Sequence, residues 1–110
     1  MTIERVEELA EEAKRRLISL KNVKQLVGDG SLGSEPDAPF DAILVTARAP
    51  EMPQPLYHQL KPGGRMVIPF GGEKKQTIQL IRKGDDGPAI RGLTRTSFFK
   101  KLVGAAGWEE

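Results

Sequence analysis

Two short stretches carry the side chains best suited to ligand chemistry. Glu4 stands just before an amphipathic segment, and a carboxylate at a strand end can accept hydrogen bonds from both hydroxyls of a ribose. That use normally follows a Gly-rich turn about 20 residues upstream, and only three residues precede Glu4; an acid at a helix N-terminus is the competing reading. Gly28-Asp29-Gly30-Ser31-Leu32-Gly33 has the spacing G-x-G-x-x-G, in which bare backbone approaches a pyrophosphate at the start of a helix. The required helix does not follow, because Pro36 and Pro39 interrupt its first turns. The same turn has a second use: Asp29 at a strand end can accept from an exocyclic amine while Gly30 leaves room for a flat base. An Asp-Gly turn that holds its own backbone competes with it, and the local sequence favours that turn.

Other chemistry is thinly represented. His58 has no neighbouring carboxylate or serine to form a relay, so it reads as a partly exposed helix residue. The absence of Cys removes disulfides, thiol nucleophiles and Cys-based zinc sites, and one His cannot form a His-pair metal centre. Neither a catalytic residue nor a metal ligand is assigned on these grounds. The 17 basic and 15 acidic residues are interleaved and give a formal charge of +2, and only 5% of residues are aromatic, which disfavours nucleic-acid binding. No apolar stretch approaches the roughly 20 residues that cross a bilayer, and no signal-peptide order appears, so a cytoplasmic protein without membrane contact is expected. Trp108 and the terminal Glu109-Glu110 read as a loose tail.

These residues must be positioned by a small set of elements. Val6, Leu9, Ala10, Ala13, Leu17 and Leu20 recur at three- and four-residue steps and predict one apolar helix stripe, with acids early and bases late on the opposite face. Val23 to Val27 is a short strand candidate leading into the Gly28 turn. The continuous apolar run Asp41 to Thr46 reads as a strand covered on both faces in a parallel sheet. Pro53 to Leu60 suits a short helix, stopped by Lys61-Pro62-Gly63-Gly64, and Arg65 to Pro69 is a further buried strand. Gln76 to Lys83 and a segment near Ser97 to Leu102 flank the Gly84-Asp85-Asp86-Gly87 turn at a distance, which predicts an antiparallel final pair. Strands separated by helices argue for an α/β sheet with a mostly parallel centre and its sites at the C-terminal strand ends.

Taken in order, Thr2-Ile3-Glu4-Arg5, Lys21-Asn22-Val23, Gly28 to Ser31 and Ala38-Pro39-Phe40-Asp41 resemble the protein-L-isoaspartate O-methyltransferase family. Val45 to Glu51 and Gln59 to Pro69 look like that family's post-strand loop and its Pro-Gly-Gly turn into the next strand. The resemblance implies a partial Rossmann-like, S-adenosylmethionine-dependent methyltransferase sheet with an antiparallel C-terminal strand pair, residues 1–110 forming one truncated domain. It implies methyl transfer from S-adenosylmethionine to isoaspartyl carboxyl groups, the first step of protein repair. Carried over by position, Glu4 would hold the ribose hydroxyls, Asp29, Gly30 and Ser31 would meet the adenine, and Thr46, Ala47 and Pro50 would border the methyl-transfer pocket. Arg48 stands where the family usually has a small residue, and Lys100-Lys101 replace an expected apolar-Pro step.

The match covers the C-terminal part of the family. The region carrying its active-site Ser, and the first strand with the Gly-rich loop under the methionine portion, lie outside it, so the chain is expected to be inactive alone. The family's first strand lies between those matching Val23 to Val27 and Asp41 to Thr46, so an exposed parallel edge is expected. Its consequence would be a homo-oligomer, or a partner supplying the missing half, acting on isoaspartyl-containing protein or peptide. A non-catalytic adenosyl-binding or protein-interaction module is the alternative.

Overall fold

The computed structural model describes residues 1–95 and 99–110. They form two compact units, Met1–Gly30 and Ser31–Glu110.

The first unit is one βαβ turn: β1 (Thr2–Glu4), α1 (Glu7–Leu17) and β2 (Gln25–Val27). The strands pair in parallel, Thr2 with Gln25 and Glu4 with Val27, so α1 is the crossover that a parallel pair requires. Gln25 Nε2 donates to the Ala10 carbonyl at 2.8 Å and ties strand to helix. On the solvent face Arg16 donates to Glu12 at 2.6 Å, an exposed i,i+4 pair worth about 0.3–0.5 kcal/mol. The helix is shorter than its apolar stripe, which is only partly covered: Ala10 is buried, whereas Leu9 is 55% and Leu20 50% exposed. Two three-residue strands are too narrow to cover an 11-residue helix.

The second unit holds β3 (Phe40–Leu44), α2 (Gln54–His58), β4 (Leu60–Gly71), β5 (Gln76–Gly84) and β6 (Gly87–Arg95). Sheet order is β3-β4-β5-β6, with β3 parallel to β4 and the other pairs antiparallel. The core gathers Val45, Ala49, Leu56, Tyr57, Leu60, Met66, Ile68 and Ile81, with Met66, Ile68 and Ile81 fully buried. On β4 the buried Met66 and Ile68 are two apart, as one face of a pleated strand demands. No helix among the described residues is long and apolar enough to cross a membrane.

Three expectations are corrected. Asp41 to Thr46 is expected as a strand covered on both faces, but β3 spans Phe40–Leu44, pairs among the described residues with β4 alone, and leaves the face of Ala42 and Leu44 open, Leu44 being 72% exposed. Lys61-Pro62-Gly63-Gly64 lies within β4 rather than between helix and strand. The register against β3 jumps there, with Phe40 opposite Leu60 but Ala42 opposite Arg65, and Gly63 takes a positive φ of 80° to absorb the extra residues. Asp41 and Lys61 pair at 3.1 Å across this irregularity. The antiparallel final pair exists, but the partner of β5 is β6, joined through the two-residue Asp85-Asp86 turn with Gly84 opposite Gly87. Ser97 and Phe98 of the expected partner lie outside the described residues, and Lys101 instead bridges Arg48.

Candidate functional site

The first unit brings Glu4 and Asp29 to one end of a parallel pair. Glu4 is the last residue of β1 and sits opposite Val27, the last of β2, and the Gly28 N–H donates to the Glu4 carbonyl at 3.0 Å. Asp29 and Gly30 therefore leave β2 beside the Glu4 carboxylate end, the C-terminal end where parallel sheets carry their ligands. Glu4 Oε1 accepts from the Val6 N–H at 3.1 Å, a local bond in the turn between β1 and α1 that fixes the direction of the carboxylate. The Oε2 atom has no hydrogen-bond partner among the described residues. Gly28 has open space where a side chain would be, and a Cβ at Gly30 would reach Ile3 only at an ordinary 3.8 Å. Neither glycine has a positive φ. Backbone conformation and packing thus leave both positions free to carry a side chain.

Ser31, Thr46, Ala47 and Pro50 belong to the second unit. Ser31 is fully buried, and its Oγ accepts from the Ala106 N–H at 3.1 Å. Thr46 and Pro50 are exposed and Ala47 half-buried, on the loop that follows β3. That loop is fastened to β4 at three points. The Val45 N–H donates to Val67 at 2.9 Å, the Ala49 N–H to Pro69 at 2.9 Å, and the Gly71 N–H to Ala49 at 3.1 Å. Its surface residues are therefore presented on a backbone that behaves as an extension of the sheet.

The third glycine of the G-x-G-x-x-G spacing has a structural cause. Gly33 takes φ +63°, and a Cβ there would overlap Gln59 Oε1. Gln59, buried at the end of α2, accepts from the Ser34 N–H at 2.8 Å and donates to the Leu32 carbonyl at 2.9 Å, pinning the turn. A glutamine closing an apolar helix just before Pro-Gly-Gly was the available sign of that role. Sequence reading marked Arg48 only as a departure from the family's small residue, without its burial, and misjudged the C-terminus. Arg48 is buried, donates from Nε to the Phe99 carbonyl and from Nη1 to the Gly71 carbonyl, both at 3.1 Å, and packs 5.5 Å from the Trp108 ring centre. Trp108 is no loose tail: its N–H donates to Leu102 at 2.8 Å and its carbonyl accepts from Gly104 at 3.1 Å. A lone arginine among small residues, with one distant tryptophan, gives no local signal of such a stack. Among the described residues no group of His, Cys, Asp or Glu could hold a metal ion.

The sequence profile of the protein-L-isoaspartate (D-aspartate) O-methyltransferase family matches residues 1–106. The chain belongs to this family. It is 48% identical over 110 residues to the protein-L-isoaspartate O-methyltransferase of Trichlorobacter lovleyi, covering 98% of this chain and 51% of that one. Against protein-L-isoaspartate O-methyltransferase 1 of Archaeoglobus fulgidus the identity is 54% over 85 residues, covering 76% and 39%. A solved protein-L-isoaspartate O-methyltransferase superposes with TM-score 0.83 at 30% identity, over 94% of this chain and 33% of the other. A second, described as the Plasmodium falciparum protein in complex with S-adenosyl-L-homocysteine, gives TM-score 0.70 at 26% identity, over 89% and 50%. The chain spans about half the length of the curated isoaspartyl methyltransferases it matches. In the first unit β1 ends at Glu4 and β2 leads into Asp29; in the second unit β3 leads into the loop of Thr46, Ala47 and Pro50.

Proposed function

We propose that this chain is the cofactor-binding and acceptor-facing part of an isoaspartyl methyltransferase, and that Glu4, Asp29 and Gly30 receive the adenosine end of S-adenosylmethionine. The observation that carries the reading is the convergence of Glu4 and Asp29 at the C-terminal ends of adjacent parallel strands, beside glycines that no backbone or packing constraint explains. The Glu4 carboxylate, aimed by the Val6 N–H, accepts from the ribose hydroxyls. Asp29 accepts from the exocyclic amine, and Gly28 and Gly30 let the base approach the backbone.

When bound, the cofactor supplies an activated methyl on a sulfonium. An isoaspartyl carboxyl is already ionised near pH 7, so the residues around it have only to align its oxygen and exclude water, with no proton to remove. Thr46, Ala47 and Pro50 border that acceptor site on a loop held rigid by its bonds to β4. Alignment on this scale needs walls on every side, and turnover is proposed to require a second polypeptide: another copy of this chain, or one carrying the other half of the family's fold. The exposed edge of β3 is the feature that favours such pairing.

The test is an amide spectrum of the purified chain titrated with S-adenosylhomocysteine. Saturable shifts at Glu4 and at Gly28 to Gly30, abolished by Asp29→Ala, are expected; a dispersed spectrum unmoved at millimolar ligand would sink the cofactor assignment. Adding the N-terminal half of a relative then separates the two remaining forms of the reading: methylation of an isoaspartyl peptide appears only on reconstitution if a complementary chain is needed. Sedimentation as a compact monomer at micromolar concentration counts against the second copy.

A further inference from the structure

The chain has five aspartates and one asparagine, and two of these six residues, Asp29 and Asp86, precede a glycine. In an Asp-Gly pair the glycine nitrogen can attack the side-chain carboxyl before it, because a residue without a Cβ leaves its own nitrogen unshielded. The structure gives the two pairs different surroundings. Asp86 is the second residue of the two-residue turn between β5 and β6, is exposed, and has no hydrogen bond or ion pair among the described residues. Gly87 takes φ +114°, and a Cβ there would meet nothing within 4 Å, so the space beside it is open. Asp29 is half-buried and already has a polar or electrostatic partner. Gly30 opens the 3-10 turn Gly30–Leu32, and Ile3 lies 3.8 Å from where its Cβ would stand. The other four are held or crowded. Asp37 accepts from Ser34 Oγ at 2.7 Å and Asp41 pairs with Lys61 at 3.1 Å. Asn22 and Asp85 are followed by Val23 and Asp86, whose side chains crowd the attacking nitrogen.

We propose that Asp86-Gly87 is a site of spontaneous covalent modification, at which the tip of the hairpin converts to an isoaspartyl linkage. The Gly87 nitrogen bonds to Asp86 Cγ, the hydroxyl of the neutral acid leaves with the amide proton as water, and a five-membered succinimide closes. Water then adds to one of its two carbonyl carbons. Opening at Cγ restores the aspartate. Opening at the main-chain carbon leaves the chain running through Cγ, with the main-chain carboxyl free. The water lost in the first step is regained in the second, so no oxidant, reductant or co-reactant is needed. The Asp86 carboxyl has no contact to break before it closes, whereas Asp29 must first give up its partner, which slows closure there about tenfold. The product places one extra methylene in the backbone beside the Gly84 and Gly87 pair, so the two-residue turn no longer holds the register of β5 against β6. The modification needs neither cofactor nor partner chain and does not rest on the methyl-transfer reading.

The full chain is held for weeks near neutral pH in heavy-oxygen water, then digested in ordinary water with trypsin, which releases Gly84–Arg91 and Gln25–Arg48 with one Asp-Gly pair in each. Every cycle of closure and opening leaves one heavy oxygen in the peptide, and electron-transfer fragmentation in the mass spectrometer locates the isoaspartyl linkage. In the folded chain Gly84–Arg91 is expected to take up label about tenfold faster than Gln25–Arg48, with isoaspartate at position 86. In urea both pairs lose their surroundings, and the two rates should converge. Asp86→Glu, whose longer side chain cannot close the five-membered ring, alters an exposed position and should abolish uptake in Gly84–Arg91 with the circular dichroism unchanged. Uptake at Asp29 as fast as at Asp86 in the folded chain, a difference between them that persists in urea, or undiminished uptake in Asp86→Glu would each overturn the proposal. Failure of S-adenosylhomocysteine to shift Glu4 and Asp29 would overturn the methyl-transfer reading and leave this modification untouched, so the two stand or fall separately.

Discussion

Gly33→Ala and Gln59→Ala, made singly and together, measure how the turn around residues 31–34 is fastened. Gln59 is 2% exposed, and its amide holds the Ser34 N–H at 2.8 Å and the Leu32 carbonyl at 2.9 Å. Truncation removes two hydrogen bonds of about 1 kcal/mol each and leaves their main-chain partners short of a bond, so Gln59→Ala should cost about 2–3 kcal/mol. A methyl at Gly33 must be held at φ +63°, which costs about 1 kcal/mol, and it displaces Gln59 Oε1. Losing the same two amide bonds brings Gly33→Ala to about 3 kcal/mol. In the double variant the amide is already absent and only the backbone strain is added. The pair should therefore cost about 3–4 kcal/mol, not the sum of about 5–6, a coupling near 2 kcal/mol. Urea unfolding followed by far-ultraviolet circular dichroism and Trp108 emission supplies the four free energies. Additivity within about 0.5 kcal/mol would refute the assignment of Gly33 to close approach by Gln59 and would reopen the ligand reading of the third glycine.

Two further variants probe what holds the second unit. Ile68→Ala removes a fully buried side chain at the centre of the core and should lower unfolding free energy by about 2–5 kcal/mol, read by the same urea titration. Lys83→Met deletes an ammonium that donates to the His58 carbonyl at 3.1 Å and the Leu60 carbonyl at 3.0 Å at the end of α2, and that lies 5.5 Å from the Tyr57 ring centre. A loss of about 1 kcal/mol is expected by thermal unfolding, and a shift no larger than that of an exposed lysine such as Lys74→Met would rule out the capping role.

Legibility followed the range of the interaction. The Asp85-Asp86 hairpin turn, the short helix after Pro53 and the parallel strand ending at Leu44 depend on backbone preferences and local periodicity, which the sequence displays directly. Glu4 and Asp29 could be singled out because strand-end acids and Gly-Asp-Gly turns are local patterns, and the order of several such patterns was enough to indicate the family. The spacing alone misled at Gly33, where a motif for phosphate contact is satisfied by packing against Gln59, 26 positions further along the chain.

The chain's sequence by itself determined the element types, the ends at which candidate ligand residues emerge, and the family to which it belongs. Only the tertiary structure decided which faces are covered, because burial depends on what packs over each face of an apolar run and not on the run itself. Leu44 is apolar in sequence yet 72% exposed, since the face of β3 that it shares with the exposed Ala42 is left uncovered. Arg48 is charged in sequence yet 5% exposed, since two carbonyls and the Trp108 ring close around it from positions 23 to 60 residues away. Contacts of that separation leave no periodic trace in the sequence, and they are the ones that bring a lone arginine and a near-terminal tryptophan into one buried stack.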